Sequence, residues 1–243
     1  MRDSAGAPRL SPANLLLIAA NVIVFAYEMR LGAGADGFIA RFGMRPARIA
    51  ALGSTSILAA GQAMLTLVTA LFIHGGVLHL AGNMLFLFIF GAAVEMRFGA
   101  RRYLYFFLAA GVAGGLAMVF IDPAAEVPVI GASGAVAAVL GAYFVLYPRA
   151  RILTVVPFFI FIEFVEVPAI AYLLVWFGWQ LFAALQSRAF HSLAGGVAWW
   201  AHIGGFLFGI AAAPLLARKE RPKARGGTGK RVRKAARQDR GRP

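Results

Sequence analysis

Ser133 lies between glycines in Val129-Ile130-Gly131-Ala132-Ser133-Gly134-Ala135-Val136, at the mouth of an apolar segment that runs to Tyr147. That is unusual packing, because the hydroxyl needs a partner and glycine weakens a helix. Two other polar stretches interrupt apolar segments: His79-Leu80-Ala81-Gly82-Asn83 and Ala201-His202-Ile203-Gly204-Gly205. A serine hydroxyl is a weak nucleophile and requires an adjacent base. His202 is the candidate base, taking the Ser133 proton on attack and returning it to a leaving amine. The tetrahedral oxyanion needs preorganised donors. His79 and Asn83 are spaced i,i+4 and share one helix face, so both can donate there. The Ser133 backbone N–H at a helix start is a third donor.

The elements that must position these groups are apolar. The chain has 243 residues, 60% hydrophobic and 14% charged, with a mean hydropathy of +0.75. A soluble domain is about 45–50% apolar and about 25% charged. The excess points to a membrane protein. There is no cysteine, which excludes disulfides, thiolate metal sites and a cysteine nucleophile. No metal or cofactor is called for. The formal charge of +14 suggests nucleic acid until it is located. Arg218 to Pro243 holds twelve Lys/Arg and two acids (Glu220, Asp239), so twelve minus two, +10 of the +14, lies in the tail. Nucleic acid is therefore not the expected partner. The tail reads as a topology signal attracted to anionic lipid headgroups.

A helix needs about 20 mostly apolar residues to cross a bilayer. The chain predicts an all-α, polytopic bundle of six spans: Ala13–Leu31, Val77–Val94, Tyr103–Ile121, Val129–Tyr147, Pro168–Leu185 and Gly195–Leu216. Residues 1–12 form a short cytoplasmic N-terminus without the pattern of a removable signal peptide. Residues 13–216 form the membrane domain, and 217–243 a basic, disordered cytoplasmic tail. Gly32–Ala63 is a long first external loop with room for interfacial helices. Met64–Ile73 is too short to cross and reads as re-entrant or interfacial. Arg151–Val167, with Pro157, Glu163 and Glu166, is expected along the interface, and Gln186–Ala194 is a polar turn. Arginines cluster between spans two and three (Arg97, Arg101, Arg102) and between four and five (Arg149, Arg151). With the basic tail, they place both termini in the cytoplasm.

Spans two, four and six then all start at the external side. At about 1.5 Å rise per residue, His79, Ser133 and His202 fall in the outer third of the bilayer. No Asp or Glu lies near this depth in those spans, so a Ser-His dyad is permitted and a Ser-His-Asp triad is not. Small residues suit a close approach of spans four and six: Gly134, Ala137, Ala138 and Gly141 on one, Gly205 and Gly209 on the other. Water at this depth requires a protein-enclosed vestibule. Gln180 is open between packing and facing the wet cavity. Trp199 and Trp200 read as an aromatic belt or span packing, His74 as structural, and Glu95 with Arg97 as an ion pair or cap.

These motifs resemble the rhomboid family of intramembrane serine proteases. The resemblance rests on Gly131-Ala132-Ser133-Gly134 (GxSG), His79-Leu80-Ala81-Gly82-Asn83 (HxxxN), Ala201-His202-Ile203-Gly204-Gly205 with Gly209 (AHxxGxxxG), and Gly91-Ala92-Ala93-Val94-Glu95-Met96-Arg97-Phe98-Gly99. Order and spacing match across about Gln62–Leu216. The resemblance implies Ser133 as nucleophile, His202 as base, and His79, Asn83 and the Ser133 amide around the oxyanion, with Gly131 shaping that pocket. It also implies a mobile fifth span and a capping loop that admit a transmembrane protein substrate carrying a small residue before the cut. Two positions depart from the family pattern. Leu65-Thr66 stands where a Trp-Arg pair is frequent, so loop anchoring differs. Ala137 stands where an aromatic ring often stacks on the histidine, so His202 must be oriented otherwise.

The expected activity is therefore serine-type endopeptidase cleavage in or near transmembrane segments, in a bacterial inner (plasma) membrane. The rival is a proteolytically inactive, rhomboid-like client-binding protein. Such relatives usually lack the serine or the histidine, and both are here. A small-solute transporter is disfavoured because no internal repeat is visible.

Overall fold

The computed structural model describes residues 2–3, 11–158, 161–189 and 198–218. Most of the basic tail, His191 and the second half of the expected Gln186–Ala194 turn lie outside them. A short strand β1 (Arg2–Asp3) precedes helix α1 (Pro12–Leu31), and α2 (Ala35–Phe42), α3 (Pro46–Ala50) and α4 (Ile57–Thr69) follow. A rod made of α5 (Val77–Phe86), one stretch of π-helix (Leu87–Gly91) and α6 (Ala92–Phe98) comes next. Then come α7 (Ala100–Ile121), α8 (Ser133–Leu146), strands β2 (Arg151–Phe158) and β3 (Phe161–Pro168), α9 (Ala169–Ala189) and α10 (Trp199–Leu216).

Five of these helical stretches are long and apolar enough to cross a membrane: Pro12–Phe42, Val77–Phe98, Ala100–Ile121, Ala169–Ser187 and Trp199–Leu216. The segment expected as the fourth of six spans differs. Its helix, α8, has only 14 residues, about 21 Å at 1.5 Å per residue, against a hydrocarbon core of about 30 Å. Gly131 takes a φ of +109°, a conformation that favours glycine. Val129–Ala132 is thus an irregular lead-in, and the helix begins at Ser133 itself.

α8 is the centre of the bundle. Every residue from Gly134 to Tyr143 is buried, because α7, α9, α10 and the Val77–Phe98 rod surround it. The contact with α10 is made through glycine. A Cβ added at Gly205 would overlap the Gly134 carbonyl oxygen, one at Gly209 the Ala138 carbonyl oxygen, and one at Gly141 the Phe206 carbonyl oxygen. Backbone meets backbone, as small-residue stripes permit in membranes. The outer surface is apolar: Ile23, Phe88, Tyr105, Phe120 and Val175 are all exposed. An apolar exterior around an apolar core suits lipid as solvent.

Buried polar groups fasten the elements that lipid cannot drive together. The Glu95 carboxylate accepts from the backbone N–H of Ala13 (3.2 Å) and Asn14 (2.8 Å). It therefore caps the start of α1 from another helix, satisfying donors that α1 cannot pair itself. Asn14 donates to the Leu87 carbonyl at 2.9 Å and accepts from the Tyr103 hydroxyl at 2.8 Å. Sequence reasoning had Glu95 as an ion-pair partner of Arg97 or as a cap; it is a cap on α1.

Arg151–Val167 forms a strand pair that the helical reading did not contain. β2 and β3 run antiparallel from Arg151 opposite Pro168 to Phe158 opposite Phe161, and β1 extends the sheet along β2. The run is rich in Val, Ile and Phe, which favour strands. Arg151 Nη1 approaches Glu166 Oε2 at 3.5 Å across the pair.

Candidate active site

Ser133 is the first residue of α8, so its backbone N–H is one of the first-turn donors with no partner inside the helix. Two tethers hold it there. Gly131 N–H donates to the Ala70 carbonyl at 2.9 Å, at the end of α4, and Val129 and Met44 exchange backbone bonds of 2.7 and 3.2 Å. The segment between α1 and the Val77–Phe98 rod thus supports the serine loop.

Gly131 has a second reason to be glycine. A Cβ there would lie 2.7 Å from His79 Nε2 and 3.8 Å from Asn83 Nδ2. Both side-chain nitrogens therefore converge on the backbone beside Ser133. Asn83 Nδ2 is buried and has no hydrogen-bond partner. An orphaned buried donor is costly unless something occupies it during function.

His79 is itself supported. Its ring meets that of His74 edge-on, with centroids 5.0 Å apart. His74 is 2% exposed, and its backbone N–H donates to the Glu28 carboxylate at 3.2–3.3 Å. Burial first, and the charge of His79 second, push the His74 imidazole down to about 4. It is neutral at physiological pH and suits a structural role.

His202 lies on α10, one turn into the helix. Ser133, His202, His79 and Asn83 all line one cavity of about 690 Å³, together with Gln180, Trp176 and Trp199. The cavity is partly polar, as a water-bearing vestibule must be. Gly131 itself does not line it but lies beside His79 and Asn83, which do. Gly134, Gly205 and Gly209 form the close α8–α10 contact described above.

Ser133 and His202 share the cavity without a direct hydrogen bond among the described residues. His202 Nδ1 is instead 2.8 Å from Gln180 Oε1, on α9. Trp176 sits 6.3 Å from the His202 ring by centroids, and Trp199 lies edge-on at 5.9 Å and 86°. Sequence reasoning had no view of Trp176 and treated Trp199 as belt or packing. The only hint of Gln180 was a lone amide in an apolar helix. No group of three or more His, Cys, Asp or Glu able to hold a metal occurs among the described residues.

Comparison with known proteins places this site in a family. The Rhomboid domain family matches residues 61–219, which contain every residue of the cavity. The Rhomboid protease GluP of Bacillus subtilis (strain 168) is 43% identical over 76 residues, covering 31% of this chain and 14% of that protein. Rhomboid protein 1, mitochondrial, of Saccharomyces cerevisiae is 29% identical over 155 residues, covering 60% of this chain and 40% of that protein. The Putative rhomboid protease YdcA of Bacillus subtilis (strain 168) is 34% identical over 77 residues, 32% of this chain and 38% of that protein. The chain thus matches well under half the length of these relatives. The domain match covers more than half of the chain, and with the apolar helices it establishes that the chain is a multi-pass membrane protein belonging to the rhomboid family.

Proposed function

We propose that the protein is an intramembrane serine endopeptidase with a Ser133–His202 dyad. The observation that carries the proposal is the shared cavity. Side chains from α5, α8 and α10 meet in it, and they are the nucleophile, base and donors that acyl transfer requires. The likeness to proteins named rhomboid proteases supports the same reading.

In the proposed reaction, Ser133 Oγ attacks the scissile carbonyl carbon while His202 Nε2 takes its proton. The carbonyl oxygen becomes an oxyanion facing His79 Nε2, Asn83 Nδ2 and the Ser133 N–H. Collapse breaks the C–N bond, and the amine leaves with the proton from His202. Water then attacks the acyl-serine ester, gives its proton to His202, and releases the carboxylic acid and free Ser133. The Ser133–His202 contact tightens as substrate arrives, since catalytic hydrogen bonds are often long without it.

The substrate class is a membrane protein with a transmembrane segment, because the nucleophile starts a short helix inside an apolar bundle. Both termini face the cytoplasm, and the positive charge of residues 217–243 makes anionic lipid headgroups their partner.

The test is cleavage of a single-span substrate in proteoliposomes. Wild type cleaves, and Ser133→Ala and His202→Ala each lose at least about 10³-fold, the order expected when a member of a catalytic unit is removed. Cleavage that survives in Ser133→Ala rules out this mechanism. Wild-type binding of the substrate without cleavage favours a client-binding role instead.

A further inference from the structure

The base needs its proton on the right nitrogen, and α8 and α10 contain nothing that fixes it. His202 can accept from Ser133 through Nε2 only if the neutral ring carries its proton on Nδ1. In many serine hydrolases a carboxylate enforces this, but no Asp or Glu lines this cavity among the described residues. What faces Nδ1 is an amide oxygen, Gln180 Oε1, at 2.8 Å. That oxygen can only accept. Gln180 is 5% exposed, and its amide lies in an otherwise apolar part of α9, where an unpaired amide would be costly.

We propose that Gln180 is the positioning residue for His202, holding the ring proton on Nδ1 so that Nε2 faces the cavity as the acceptor. This rests on the reading of Ser133 and His202 as a dyad. Trp176, one turn before Gln180 on the same face of α9, completes the arrangement. With Trp199 it brackets the imidazole. An amide fixes the tautomer without bringing a second charge into an apolar site, where an imperfectly paired charge is costly. It also makes the orientation of the base depend on α9 being seated against α10.

The test pairs kinetics with a spectroscopic readout on the full chain in micelles. Gln180→Leu keeps the volume and removes the acceptor. Gln180→Glu keeps an accepting oxygen. Gln180→Leu is expected to lower kcat by about 10–100-fold with KM within about twofold, less than the ~10⁴ seen when a triad carboxylate is lost. Gln180→Glu restores most of that loss. Separately, ¹⁵N spectra of ring-labelled histidine, with His202 assigned by its loss in His202→Gln, show Nδ1 protonated and Nε2 unprotonated in wild type. Gln180→Leu loses this preference. Full kcat in Gln180→Leu, a loss that Gln180→Glu does not restore, or a wild-type His202 protonated on Nε2 overturns the proposal. If Gln180→Leu fails to fold, the wild-type spectrum still decides. If instead Ser133→Ala remains active, the dyad has failed, and the spectrum reports on Gln180 independently.

Discussion

At the scale of single residues, the cavity holds a buried polar atom left without a partner. Asn83 Nδ2 is buried and unpaired, and it points toward Gly131, two residues before Ser133. Asn83→Ala is expected to lower kcat by about 10²–10³-fold, the usual cost of one oxyanion donor, with a melting temperature close to wild type because no folded-state bond is lost. Gly131→Ala acts on both conditions that require glycine there, a φ of +109° and the approach of His79 Nε2. It is expected to match or exceed the Asn83→Ala loss in the same cleavage assay. Wild-type kcat in either variant would remove that group from the oxyanion site. The meeting of Ser133, His202, His79 and Asn83 in one cavity was legible in the sequence because each is a polar residue inside an apolar run. Gln180 was left open for a physical reason. A lone amide in an apolar helix reveals neither which way it points nor which helix packs against it. The alanine at 137 showed that His202 must be held otherwise. It did not reveal that Trp176 and Trp199 flank the ring.

At the scale of elements, the position of the proposed nucleophile follows from the shortness of α8. The sequence suggested a full span from Val129 to Tyr147, because every residue there is apolar or small. Hydropathy does not register that Gly131 turns the chain before the helix starts. The result is a 14-residue helix with Ser133 at the first position. Its alignment depends on the glycine contact with α10. Gly209→Leu would drive a side chain into the Ala138 carbonyl, and overpacking of this kind costs about 1–3 kcal/mol or more. It is expected to lower thermal stability and abolish cleavage together. Gly178→Ala, where an added Cβ meets nothing within 4 Å, is expected to melt at or above the wild-type temperature. Equal melting of Gly209→Leu and wild type would contradict the close α8–α10 packing. The strand pair at Arg151–Pro168 escaped sequence reasoning because its apolar run, with two glutamates, fits an interfacial segment as well as a strand. Pairing is a non-local property.

At the scale of the molecule, the fold is an apolar-surfaced bundle with a partly polar cavity in it. Large apolar side chains cover the outside as well as filling the core, and glycines line the α8–α10 contact. Internal polar links such as Glu95 to the start of α1, and Glu28 to His74, supply the specificity that hydrophobic burial cannot provide in lipid. The central claim is that this cavity holds an activated serine. The most direct measurement is treatment of the full-length protein with a fluorophosphonate, followed by intact mass and peptide mapping. One phosphonyl group on Ser133 in wild type, none in Ser133→Ala and sharply slower labelling in His202→Ala is the predicted result. Labelling that persists in Ser133→Ala, or that proceeds at the wild-type rate without His202, would contradict it.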